Sequence, residues 1–400
     1  MYSIVHLADL HLGGVRLDKQ APDGRNQREV DVSDTFARVI DQVIRVAPDL
    51  VLIAGDIFDK SRPRNHALTS AFREIQRLRD ELQQTPVVMI AGNHDRPTGV
   101  GGVDHSLLPH FADIEGVYVV HEGAERLRFG DLSLLCVPEH VAHQVLLTPD
   151  PTARRNVLLL HGEIAGAIPG ARQSEHAIQP GHLANGGWDY AALGHYHVTS
   201  EVAPRCWYAG AMDYTSSNVW GELQDEAKRG LVGKGFLEVD LDTGSVVRHP
   251  IVGTRRWIDL PRIDGTDLSA RQIDELVTAH VESADITDAI VRQVVVNVPR
   301  DRAHEMTTLR RKAWIERALH ITVDVRPPER NALTDGVAAS RTRLTLDERL
   351  QAALAAHVLP DETPEDRARF LELAGRYQVT ALAQLEESLL LPAGVTREAA

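Results

Sequence analysis

A chain of 400 residues is too long for one core and holds material for two or three domains. Its 43 Lys and Arg against 57 Asp and Glu leave a formal net charge of −14, which excludes a general coater of nucleic acid or anionic membrane. Contact with a polyanion would have to come from local basic patches, or from bound cations that reverse the sign of an acidic cleft.

Cys136 and Cys206 sit in strand-like context without a spaced framework and read as buried reduced thiols. The first strand pattern begins at Tyr2, which leaves no room for a signal peptide. No apolar run reaches the roughly 18 residues needed to span a bilayer, so no membrane contact and a cytoplasmic location are expected.

Residues 2–8 read as a buried strand ending at Asp9 and His11, and the polar stretch 13–31 reads as an exposed loop. Ser33 is the expected N-cap of a helix in which Phe36, Ile40, Val43 and Ile44 recur at helical spacing, with Pro48 beyond its end. A continuous apolar strand, 50–54, precedes a second amphipathic helix, 65–82, and a third strand, 86–91. This alternation predicts right-handed crossovers and a parallel sheet whose functional residues gather beyond the strands' carboxyl ends.

The rhythm then changes. Short strands are expected at 117–120, 132–137, 156–160, 190–193 and 206–209, and a hairpin at 235–241 and 245–251 around Asp242-Thr243-Gly244. A second sheet packed on the first accounts for them, giving an α/β sandwich of two sheets flanked by helices. From residue 254 a small α/β module is expected: strand 257–260, helix 269–283, strand 289–298, helix 302–317, strand 320–325. Pro327-Pro328 marks a break, after which Leu346, Leu350, Leu354 and Val358, then Phe370, Leu373, Tyr377 and Leu385, form two helical stripes. The expected division is 1–253, 254–328 and 329–400.

Five of the strand patterns stop at polar residues: Asp9 and His11; Asp56 and Asp59; Asn93, His94 and Asp95; His161; His195 and His197. Polar groups at the end of a buried strand need partners or a ligand. Asp, His and Asn suit borderline divalent cations such as Mn²⁺, Fe²⁺ or Zn²⁺, and seven candidates are too many for one ion. Two ions are implied; such pairs stand about 3.5–4 Å apart, where together they bind a phosphate oxygen and acidify a water.

In this order Asp-x-His, Gly-Asp-x-x-Asp, Gly-Asn-His-Asp, an isolated His-Gly and Gly-His-x-His resemble the motif set of the calcineurin-like metallophosphoesterases, over Asp9 to His197. The finer resemblance is to the SbcD-type DNA repair exonucleases, whose eukaryotic and archaeal relatives are the meiotic recombination nucleases. It is carried by His6-Leu7-Ala8-Asp9-Leu10-His11-Leu12-Gly13, by Ala54-Gly55-Asp56-Ile57-Phe58-Asp59 with Arg62-Pro63, and by the run from Asp189 to His197. Tyr208-Ala209-Gly210 and Lys234-Gly235-Phe236 extend it. One departure is Ala211, where that family commonly has serine.

The resemblance implies Asp9, His11 and His197 on one ion, Asn93, His161 and His195 on the other, and Asp56 bridging them. It implies a preference for Mn²⁺, with His94 facing the scissile phosphate and assisting departure of the 3′ oxygen. Asp59 and Asp95 would either orient those imidazoles and the loop backbone or cap loops. It further implies that residues 254–328 are a capping domain that helps place DNA, that an SbcC-type SMC-like ATPase docks on the C-terminal helices, and that the chain forms a homodimer. Those helical stripes could equally pack on the chain's own domains.

Taken singly, His161 reads as a satisfied strand-end histidine; beside the other motifs it reads as a ligand. His66, His105, His110, His140, His143, His176 and His182 read as surface or loop residues. Arg62 with Arg64, Arg154 with Arg155, Arg255 with Arg256, and Arg310-Arg311-Lys312 could track a DNA backbone, though each alone reads as solvated surface. The sequence thus points to a DNA-end exonuclease, against a phosphodiesterase for a small phosphoester such as a cyclic nucleotide, or an idle DNA-end scaffold.

Overall fold

The computed structural model describes residues 2–96, 106–168, 174–184, 186–307 and 309–328, with Arg369 beyond them. The chain divides into two units, Met1–Pro328 and Glu329–Ala400. The two C-terminal stripes and His105 lie outside the described residues.

In chain order the first unit runs β1 (Ser3–Leu7), α1 (Gln27–Val46), β2 (Leu50–Ile53), α2 (Asn65–Glu81), β3 (Val87–Ile90), β4 (Val117–Val120), β5 (Glu125–Phe129), β6 (Leu132–Val137) and β7 (Arg155–His161). There follow α3 (Pro180–Ala184), β8 (Tyr190–Gly194), β9 (Ser200–Ala203), β10 (Cys206–Tyr208), α4 (Val219–Lys228), β11 (Gly235–Asp240) and β12 (Ser245–Pro250). It ends with β13 (Trp257–Asp264), α5 (Ala270–Ser283), β14 (Ile290–Val296), α6 (Arg300–Glu305), α7 (Leu309–Arg317) and β15 (His320–Val325).

Two six-stranded sheets result, ordered β12-β11-β1-β2-β3-β4 and β5-β6-β7-β8-β10-β9, with a separate three-stranded sheet β13-β14-β15. β1 to β4 are parallel, and the β11–β12 hairpin adds on antiparallel to β1. In the second sheet β6, β7, β8 and β10 are parallel and both edge strands antiparallel.

The continuous apolar runs of β2 and β3, and the apolar residues of β1, are explained by burial on both faces. Val5, Val51 and Met89 pack beneath α1 and α2 against Phe36, Ile40 and Ile75. Their neighbours Ile4, Leu52 and Val88 face the second sheet at Leu134, Leu159 and Tyr190. Successive strand residues point to opposite sides, so a doubly covered strand admits a polar residue only where it finds a buried partner, as His6 of β1 does in the Tyr190 hydroxyl, 2.9 Å from its Nδ1. Each apolar side chain, fully buried, contributes about 1.5–3 kcal/mol.

Several expectations need correction. α1 starts at Gln27, not after Ser33: the Asn26 side chain accepts from the N–H groups of Arg28 and Glu29, and the Ser33 hydroxyl donates back to the Glu29 carbonyl inside the helix. Arg28, Glu29 and Asp31 are buried, so the first turn carries no apolar period to read and the loop is shorter and less exposed than expected. The edge strands β5 and β9 and helix α4 escape the pattern because their polar residues break the alternation. The single helix expected at 302–317 is two, α6 and α7. Among the described residues no helix is long and apolar enough to cross a membrane.

Residues 254–257 hold the small sheet to the rest of the first unit through buried polar contacts. Arg255 Nε donates to Asp31 Oδ2 at 2.9 Å, and the Thr254 hydroxyl donates to the Asp31 carbonyl at 3.0 Å. Arg28 lies 5.5 Å from the Trp257 ring centroid, and Tyr214 and Trp220 meet the same ring at 5.7 and 5.4 Å.

Candidate metal centre

The segments that leave β1, β2, β3, β7 and β8 meet at one place. The Asp9 N–H donates to Gly55 O at 3.1 Å and the His11 N–H to Asp56 O at 3.0 Å, zipping the first two segments together past the end of the sheet. The His195 N–H donates to both Asp9 carboxylate oxygens at 3.0 and 3.1 Å, and the His94 N–H to Asp56 Oδ1 at 2.9 Å. Asp9, His11 and Asp56 have φ of 51°, 46° and 51°, and His195 of 113°. Such backbone costs on the order of 1–3 kcal/mol per residue and persists only where surrounding structure over-determines it. Four of the seven candidate ligands are therefore held in conformations that strand propensity would not select.

Their ring nitrogens divide into those already used and those left over. His161 Nδ1 donates to the Ala54 carbonyl at 2.7 Å and His197 Nδ1 to Glu222 Oε1 at 3.1 Å, so Nε2 is the open nitrogen in each. His197 Nε2 stands 3.1 Å from His11 Nε2. Asn93 Oδ1 lies 3.1 Å from His161 Nε2 and 3.3 Å from His195 Nδ1. Asp56 Oδ2 stands 3.5 Å from His161 Nε2 and 3.6 Å from His11 Nε2, between the two sets. Donor atoms of Asp9, His11 and His197, and of Asp9, Asp56 and His161, gather within 4.8 Å of one another, and so do those of His11, Asp59 and His94.

This donor set fits divalent cations. Lone pairs of imidazole and amide oxygens face one another at contact distances, and the buried His11 Nδ1 has no hydrogen-bond partner. Electrostatics point the same way. Burial, and then the neighbouring His197, push His11 well below the usual histidine range. Burial and His161 bring His195 down to about 4. Burial works against the Asp56 carboxylate, yet His161, His11 and His94 hold it below its ordinary range. Burial raises Asp9 despite His197 and His161. Closely packed groups that cannot all charge together are the mark of a built site.

Asp59 and Asp95 act on the surroundings of these groups. The Asp95 carboxylate accepts from the N–H of Ile57, Phe58 and Gly92 at 3.1, 2.9 and 3.0 Å, tying the turn after β2 to the turn after β3. The Asp59 carbonyl accepts from His94 Nδ1 at 2.8 Å, and its carboxylate pairs with Arg16 at 3.0 Å. Tyr208 fixes the turn after β7: its hydroxyl donates to Gly162 O at 2.7 Å and accepts from the Ile164 N–H at 2.9 Å.

Sequence reading missed Arg16, Glu222 and Lys234's contact with the site. No spacing rule links α4 to His197; the one available signal was Lys234 in the motif Lys-Gly-Phe. Of the basic pairs, Arg155 is taken up by Asp131 and Asp242, and Arg255 by Asp31. The side chains of Arg310 and Arg311 are outside the described residues.

Residues 2–199 match the family model for calcineurin-like phosphoesterases. The chain carries a calcineurin-like phosphoesterase domain. Three curated relatives share the name DNA double-strand break repair protein Mre11. That of Methanopyrus kandleri is 28% identical over 275 residues, 62% of this chain and 56% of its own. That of Saccharolobus solfataricus is 30% identical over 206 residues, 50% of each chain. That of Methanocaldococcus jannaschii is 26% identical over 287 residues, 68% of each. The chain spans about half the length of the first two. All seven candidate ligands and His94 lie inside the matched phosphoesterase domain.

Proposed function

We propose that this chain is a two-metal DNA nuclease that hydrolyses phosphodiester bonds at DNA ends, in the repair or processing of double-strand breaks. The observation that carries this reading is the meeting of Asp9, His11, Asp56, Asn93, His161, His195 and His197 at five segment ends, with ring nitrogens left open toward one another. The phosphoesterase domain and the printed names of the relatives support it.

Asp9, His11 and His197 would hold one ion, Asn93, His161 and His195 the other, and Asp56 would reach both. Bound divalent ions would supply the positive charge that seats a phosphodiester and lowers the pKa of an attacking water. The chain's own residues do the rest. The Asp59 carbonyl accepts a hydrogen bond from Nδ1–H of His94; with both ring nitrogens protonated, Nε2–H would be the group that gives its proton to the departing oxygen. Asp95 fixes the two turns that present Asp56 and His94, so neither moves as charge develops.

We assign Mn²⁺ as the preferred ion on the resemblance; the mixed imidazole, amide and carboxylate donors suit borderline divalent cations as a class, Fe²⁺ and Zn²⁺ included. Residues 1–253 would form the nuclease domain, 254–328 a cap and 329–400 a helical segment for an SbcC-type SMC-like ATPase. The homodimer rests on the resemblance alone, and the cytoplasmic location on the reading of Cys136 and Cys206 as buried reduced thiols.

The deciding experiment incubates the purified chain with Mn²⁺ and end-labelled single- and double-stranded DNA, alongside His94→Gln and an EDTA control. Release of mononucleotides by the wild type alone is the expected result. Hydrolysis of bis-p-nitrophenyl phosphate with no attack on any DNA would replace DNA with a small phosphoester, and ion binding without turnover would leave a scaffold.

A further inference from the structure

Helix α4 has no apolar pattern in the sequence, yet it carries a buried and fully paired charge network. The Lys234 ammonium, buried just before β11, has three N–H donors and three acceptors: Glu222 Oε2 at 2.5 Å, Glu226 Oε1 at 2.9 Å and the backbone carbonyl of His197 at 2.9 Å. Glu222 spends its other oxygen on Nδ1 of His197 at 3.1 Å. His197 is thus gripped twice, at its main chain by Lys234 and at its ring by the carboxylate that Lys234 holds.

The network also runs away from the site. Glu226 accepts from the Tyr214 hydroxyl at 2.6 Å, and Lys234 lies 4.4 Å from the Tyr214 ring centroid. Tyr214 meets Trp257 of the small α/β module at 5.7 Å. On α4 itself, Glu222 and Glu226 share one face at i, i+4, while Trp220 leaves on another side to meet Trp257 at 5.4 Å and Arg292 at 4.5 Å. One ten-residue helix therefore touches the ring of a candidate ligand and the base of the module.

We propose that Glu222 and Lys234 are positioning residues that set the tautomer and direction of the His197 ring for its ion, and that α4 ties this setting to the seat of residues 254–328. The inference rests on the reading of His197 as a ligand. A buried ion pair held only for stability would be a poor device, because well-packed apolar residues do as well or better. What an apolar pair cannot do is accept the Nδ1 proton of an imidazole and leave Nε2 aimed and electron-rich. Such carboxylate–histidine contacts commonly alter ion affinity by about 10–100-fold.

The test is calorimetric titration of the full chain with Mn²⁺, with thermal melting of each variant as the control for folding. His197→Gln sets the reference and should lose one of two ions; a wild type that binds no second ion, or a His197→Gln that loses none, sinks the ligand reading itself. Glu222→Gln keeps an acceptor but loses the charge. It should weaken the same ion about tenfold or more, with activity on bis-p-nitrophenyl phosphate recovered at excess Mn²⁺. Trp220→Ala, at the module end, should weaken it several-fold. Unchanged affinity in a folded Glu222→Gln overturns the positioning role, and unchanged affinity in Trp220→Ala overturns the tie to the module. Should Glu222→Gln fail to fold, ring ¹⁵N spectra of the unmutated chain loaded with diamagnetic Zn²⁺ answer instead. His197 must then be protonated at Nδ1 and coordinated through Nε2, and the opposite tautomer refutes the inference.

Discussion

The Nε2 atoms of His11 and His197 stand 3.1 Å apart. The Nδ1 proton of His197 is committed to Glu222, so its Nε2 presents a lone pair whenever the ring is neutral. Two ring nitrogens this close are comfortable only with a proton between them or a cation shared by both.

Adding Mn²⁺ to chelator-treated protein should therefore raise its melting temperature. An ion that binds only the folded chain stabilises it by about 2.7 kcal/mol at a hundred times its dissociation constant. His11→Gln and His197→Gln should each lose the part of that increment that one of the two ions supplies, which scanning calorimetry across a Mn²⁺ series would reveal. A melting curve indifferent to Mn²⁺ would mean that these nitrogens do not meet on an ion.

Asp95 predicts how the ion-free protein answers to pH. Burial, and then the charge of Asp56, push its carboxyl up to about 7, against three backbone N–H groups that favour the charged form. In the unfolded chain it titrates near its ordinary value of about 3.9. The folded state thus keeps a proton that the unfolded state has released. Its stabilising contribution is complete below about pH 4 and is lost as pH rises to about 7. Urea midpoints of the ion-free chain should fall between about pH 4 and about pH 7. Asp95→Asn, which cannot titrate, should flatten that slope while lowering the midpoint overall, since one amide oxygen replaces two acceptors.

Gly55 lies between β2 and Asp56 with φ of +82°, and a Cβ there would collide with Nδ1 of His161. Gly55→Ala therefore carries two penalties at one atom: left-handed backbone, costing about 1 kcal/mol or more, and displacement of the imidazole from the Ala54 carbonyl. The expected outcome is a chain that folds with a lower melting temperature and binds one ion more weakly. A variant with wild-type ion affinity would show that His161 has room to move and does not hold an ion in this pose.

What could be read in advance divides along a physical line. The seven candidate ligands and His94 were visible because an apolar strand that stops at Asp, His or Asn is chemically conspicuous wherever it occurs. The layered sheets were visible for the same reason: β2 and β3 have no polar residue, and β1 only Ser3 and His6. Glu222 and Arg28 were not, and Lys234 only as part of the Lys-Gly-Phe motif, because a charged residue on a helix or loop is ordinarily solvated, and only the tertiary fold buries them. Asn26 went unread as an N-cap since the turn it starts is built from charges, and β5, Glu-Arg-Leu-Arg-Phe, is an edge strand whose charges mask its alternation.

Arg28 supplies the last prediction, since among the described residues it is the largest fully buried side chain. Its guanidinium donates to Asp213 Oδ1 at 2.7 Å, to Asp31 Oδ2 at 3.2 Å and to the Tyr214 carbonyl at 3.2 Å. Asp31 also holds Arg255, whereas Asp213 keeps only the Thr35 hydroxyl at 2.9 Å and the Tyr214 N–H at 2.7 Å. Arg28→Met should therefore strand the Asp213 charge far more than the Asp31 charge. Removing one partner of a buried pair costs about 3–5 kcal/mol, whereas removing both is often near neutral. Arg28→Met alone should lower the urea midpoint steeply, and Arg28→Met with Asp213→Asn should recover much of the loss. A double-mutant cycle showing simple additivity would mean that the two side chains do not share their burial cost, and that Arg28 is held in place by its stacking on Trp257 instead.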